Sequence, residues 1–117
     1  MRRMEYVPLS FDVPASTGVK VYENKPLLGG TIRTVDIHWP DGCNHLVGVA
    51  VYHGSVQFLP RSGYLALNDA NPLFGENTPL GINEPKPDEE ELWADIVNGD
   101  GANPHSITVS VGVEVEN

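Results

Sequence analysis

A single cysteine, Cys43, is all the thiol chemistry that the 117 residues offer. It excludes an intramolecular disulfide, a zinc ribbon and a CxxC redox pair together, and it fits assembly in a reducing compartment. Basic residues are scarce too. Seven Lys and Arg stand against sixteen Asp and Glu, a formal net charge of −9. A surface of that sign repels phosphate backbones and anionic headgroups, so neither nucleic acid nor a membrane is an expected partner. No window approaches the roughly 18 consecutive apolar residues of a spanning helix. The opening Met1-Arg2-Arg3-Met4-Glu5-Tyr6 lacks an apolar run behind its basic pair, so no signal peptide is expected and the residues alone point to the cytoplasm.

Turns and alternation are what the chain has in quantity. Twelve Gly and ten Pro punctuate it, and 40% of its residues are hydrophobic, enough for one domain over residues 1–117 with a core of its own. Ile107, Val109, Val111, Val113 and Val115 alternate with Ser, Thr, Gly and Glu to the end, a strand with one buried and one wet face. Thr31 to Trp39 repeats the pattern with Val35, Ile37 and Trp39 in phase, and Pro40-Asp41-Gly42 stops it. Leu46 to Tyr52 is apolar on both faces, as a central strand is. His53-Gly54 then reads as a hairpin turn into Ser55–Leu59. Further strands are expected at Met4–Val13, with Pro8 confining it to an edge or bulge, at Val19–Glu23 and at Tyr64–Asn68.

The Pro- and Gly-rich stretch 71–87 reads as a long ordered excursion with at most one short strand. Asp88 to Gly99 supports two readings, a helix opened by Pro87 and acids or a strand pairing with the terminal one. The strand is favoured because sequential antiparallel neighbours usually pair. The expected fold is thus all-β: a single antiparallel β-sandwich of jelly-roll or related Greek-key type with about eight strands.

No motif brings chemistry with it. His38, His45, His53 and His105 form no HxH, HExxH or Hx3H pair, so they are expected to be solvated or locally hydrogen-bonded, with His53 in the turn. Cys43 with His38 and His45 departs from the order of a copper sandwich site, and a small buried hydrophobe is the better reading of the thiol. There is no GxSxG elbow, no phosphate loop, and no calcium-loop spacing in Asp88–Glu91, which reads as a solvated acidic loop. No catalytic, cofactor-binding or metal residues are therefore assigned, and no cofactor is expected.

The order Ile37-His38-Trp39-Pro40-Asp41-Gly42-Cys43, an apolar strand, Val56-Gln57-Phe58-Leu59-Pro60, then Asn98 and Pro104-His105-Ser106-Ile107-Thr108-Val109 resembles small β-sandwich accessory proteins encoded among the virion structural genes of tailed bacteriophages. The resemblance spans roughly residues 30–116 and carries over no functional residue, since that family has no catalytic motif to match. It implies a non-enzymatic virion component, such as a capsid decoration protein, that associates with copies of itself and with a capsid or other virion protein. Leu73, Phe74, Leu80 and Ile82, apolar residues in the excursion, are the expected interface. The alternative is a surface-binding module for glycans, with Trp39, Tyr52, Tyr64 and Trp93 as its stacking residues.

Overall fold

The computed structural model describes residues 2–23, 29–75, 82, 84–87 and 90–116. Ten strands run through them: β1 (Arg2–Pro8), β2 (Phe11–Val13), β3 (Thr17–Tyr22), β4 (Gly30–His38), β5 (Val47–His53), β6 (Val56–Leu59), β7 (Leu73–Gly75), β8 (Glu84–Lys86), β9 (Leu92–Asn98) and β10 (His105–Glu116). Every pairing is antiparallel. One sheet orders β1-β10-β4-β7, with β2 also on β10 and β8 also on β4; the other orders β3-β9-β5-β6. The two pack face to face as an antiparallel β-sandwich. No helix of the described residues is long and apolar enough to cross a membrane.

Alternation decides which side chains meet between the sheets. β10 turns Ile107, Val109, Val111, Val113 and Val115 inward, β5 contributes Val47, Val49 and Val51, and β9 contributes Leu92, Ala94 and Ile96. Two irregularities add to this set. The β4–β10 register shifts so that Gly112 faces Thr34 and Val113 faces Ile32, skipping Arg33. This bulge brings Ile32 and Val35, three apart, onto one buried face. On β6 the register skips Phe58, and Phe58 and Leu59 are consecutive and both buried.

Four local expectations change. The first strand is two, because the chain leaves β1 after Pro8 and rejoins β10 further along as β2. Tyr64–Asn68 forms only a bridge between Leu65 and Val49; the Asn68 side chain instead accepts from the backbone N–H groups of Gly42 and Asn44, tying this segment to a loop. The described residues of stretch 71–87 hold two short strands, β7 and β8, which cap the β4 edge one after the other. The 88–98 region is a strand, β9, lying between β3 and β5 rather than beside the terminal strand.

Candidate functional site

The register of the smaller sheet sets three aromatic side chains side by side on its outer face. Tyr22 of β3 faces Trp93 of β9, and Trp93 faces Tyr52 of β5. Their neighbours Val21, Ala94 and Val51 point inward, so the rings point out. Tyr52 and Trp93 stack with centroids 4.0 Å apart and planes within 9°, and Tyr22 lies 5.5 Å from Trp93 at 26°. The Trp93 indole N–H donates to the Gly54 carbonyl at 2.8 Å, which fixes the ring. The Tyr52 hydroxyl donates to Gln57 at 3.1 Å. Lys20 brings its ammonium to 5.5 Å from the Trp93 ring.

Below this row the same face carries Asp95, Val97, Gly48 and Leu46. Tyr64 crosses over Gly48, where an added Cβ would come within 2.9 Å of the Tyr64 Cβ, and donates its hydroxyl to Asp95 at 2.8 Å. That bond, with burial and the charge of Asp95 behind it, pushes the phenol up to about 12. Tyr22, Leu46, Tyr64 and Val97 are 49%, 45%, 48% and 38% exposed. They are four of the eight exposed large hydrophobic residues among those described, gathered on one sheet face. A recess of about 370 Å³ beside the row is lined by Tyr22, Gly54, Glu90, Glu91 and Trp93.

Behind that recess lies a polar cluster. His53 is only 5% exposed; its Nδ1 is 2.6 Å from Glu90 Oε1 and its Nε2 is 2.7 Å from Glu84 Oε2. Arg61 donates to the other Glu84 oxygen at 2.8 Å. Burial pushes the Glu84 carboxyl up, but hydrogen bonds and charge from His53 and Arg61 outweigh it and hold the group below its ordinary value. The carboxylates occupy opposite edges of the imidazole, so they do not converge on one point. No group of three or more His, Cys, Asp or Glu among the described residues is arranged for a metal ion.

Cys43, Asp100 and His105 come near one another at the far end of the sandwich. His105 Nε2 is 2.9 Å from Asp100. The Cys43 thiol is fully buried, and burial followed by the charges of Asp100 and Asp41 raises it above its ordinary value. That is the reverse of what an attacking thiolate needs.

The structure separates the expected residues. Trp39 is fully buried, with its indole N–H on the Val47 carbonyl at 2.9 Å, so it cannot stack on a ligand. Trp93 and Tyr52 come together and Tyr64 joins the same face, whereas Tyr22, which the sequence reading did not single out, completes the row. Phe74 and Ile82 are buried in this chain's own core and Leu73 is 56% exposed; Leu80 lies outside the described residues. Of the acidic run, Asp88 and Glu89 lie outside them as well, while Glu90 is bound to His53. His53 is neither solvated nor locally bonded, since its partners are 31 and 37 residues away. The signal was its phase: His53 continues the inward series Val47, Val49 and Val51.

The fold defines a single antiparallel β-sandwich with an aromatic outer sheet face. No family model matches the chain, and no curated protein matches it. Among solved structures it is similar to a crystal structure of FLHE, at 12% identity and a TM-score of 0.46, over 97% of this chain and 98% of that one.

Proposed function

We propose that this domain is a non-enzymatic structural protein that works by docking the outer face of its four-stranded sheet, on copies of itself and on a larger assembly such as a virus particle. The observation that carries the reading is the gathering of Tyr22, Leu46, Tyr64 and Val97 on that face. Exposed apolar side chains gathered on one face beside half-buried aromatics are what association surfaces have and what isolated domains tend to avoid. The virion setting is supported by the family resemblance of residues 30–116. The interface of this proposal is the outer face of the four-stranded sheet rather than the 73–82 stretch, because Phe74 and Ile82 already pack within the chain and exposed Leu73 stands on β7 of the other sheet.

Light scattering at micromolar concentration is the test. An oligomer is expected, and Leu46→Lys with Val97→Lys is expected to return it to monomer with little change in melting temperature. A wild-type protein that stays monomeric and fails to join capsid, portal or tail proteins from a neighbouring gene overturns the reading.

Glycan binding is the second reading, favoured by the exposed Tyr22 ring bordering the recess. Its limit is geometric. Tyr52 covers one face of Trp93 and Tyr22 lies against the other, so a sugar has the outer face of Tyr22 to stack on rather than a row of open rings. A glycan array with selective signals lost in Tyr22→Ala would favour this reading over docking.

A further inference from the structure

We propose that His53 with the carboxylates of Glu84 and Glu90 forms a pH-sensitive clasp, which ties the chain entering β9 and strand β8 to the β5–β6 hairpin. A neutral imidazole has one donor nitrogen and one acceptor. Both nitrogens of His53 face carboxylate oxygens, at 2.6 and 2.7 Å, the range of charge-assisted bonds. Only the doubly protonated ring donates to both.

Among the described residues, the charged groups around the ring are Glu84 from β8, Glu90 from the segment before β9 and, behind Glu84, Arg61 from the loop after β6. β6 contributes the uncharged Phe58 ring, 5.7 Å away between centroids. With His53 doubly protonated, each carboxylate accepts from one ring nitrogen. Once the ring loses a proton, a nitrogen lone pair faces a carboxylate oxygen beside an imidazole that is almost fully buried, and one of the two bonds is lost.

The clasp therefore holds while the ring carries both protons and loosens when it loses one. Glu84 sets the other limit. Its carboxyl is held below the ordinary value, so its contribution is present above the usual carboxylate range and is lost as pH falls below it. Glu90 also walls the recess beside Tyr22 and Trp93, so release of the clasp reshapes the outer face. That last consequence rests on the docking reading, whereas the clasp itself does not.

The test compares thermal unfolding of the full chain, His53→Gln and Glu90→Gln between about pH 5 and 8. The wild-type melting temperature is expected to fall by roughly 4 °C or more across that range, and most of the fall is expected to vanish in both variants. His38, His45 and His105 remain in all three proteins, so the difference isolates His53. Nitrogen-15 NMR should find two ring protons on His53 at about pH 6. If His53→Gln does not fold, Glu90→Gln, whose side chain is 34% exposed, keeps the comparison. Parallel pH profiles for wild type and Glu90→Gln, or a singly protonated His53 ring at about pH 6, overturn the clasp.

Discussion

Asn98 shows how much a single side chain can hold. It is buried at the end of β9, and its amide donates to the carbonyls of Val13, Pro14 and Asn103 at 3.1, 3.2 and 3.0 Å while its oxygen accepts from the Asp100 N–H at 2.9 Å. Asn98→Ala strips three carbonyls of their donor and is expected to cost about 1–3 kcal/mol in urea unfolding. Asn98→Asp is expected to cost more, because it turns a carboxylate oxygen toward those carbonyls. Asp100, next but one, carries a pH dependence of its own. The hydrogen bond from His105, followed by that from the Ala102 N–H, holds its carboxyl at about 2. Its stabilisation is present above the ordinary Asp value and lost as pH falls through about 2; Asp100→Asn should therefore flatten the acid limb of the stability profile. Gly54 is constrained twice, by a φ of +56° and by the Glu90 carboxyl 2.9 Å from where a Cβ would stand. Gly54→Ala is expected to cost about 1–2 kcal/mol from the backbone alone and to push Glu90 away from His53, read by calorimetry and by the His53 ring resonances.

At the level of elements, the aromatic row binds three strands through their side chains as the ladder does through the backbone. A double-mutant cycle on Tyr52→Ala and Trp93→Ala is expected to give a coupling of about 0.5–1.5 kcal/mol, whereas Tyr22 with Tyr52, separated by the indole, should show much less. How far this was legible in the sequence differs from strand to strand. β10, β4 and β5 carry uninterrupted β-branched alternation, so their existence and buried faces could be read directly. β9 needed an argument about its neighbours, and its true partners, β3 and β5, are far from it in sequence. Register was beyond reach: nothing in Val19–Glu23 or Leu92–Val97 says that Tyr22 lies opposite Trp93. The bulge that turns Ile32 inward is equally silent, since it depends on which residue of β10 is skipped. β7 and β8 are three residues each, too short for a period to show, and β8 has Pro85 at its centre.

For the whole molecule, charge and apolar surface pull in opposite directions. Each copy carries −9, so the self-association proposed above has to work against long-range repulsion, which salt screens beyond about 10 Å at 0.1 M. On that proposal, association is expected to tighten as salt is raised, and weakening under sedimentation at high salt would instead point to an interface built on ion pairs. The His53 cluster was not readable from the sequence, because its three members come from positions 53, 84 and 90 and meet only through the sandwich. The same long-range wiring governs how the domain comes into being. Strand β10 is the centre of the larger sheet, with β1 on one side and β4 on the other, and Arg2 pairs with Glu116. A ribosome that has released everything up to β9 has delivered a sheet without its middle. β1 and β4 must wait for the twelve residues of β10, so the larger sheet closes only once that strand has been made, through long-range pairing that slows folding and leaves the waiting edges exposed to wrong pairing in the interval.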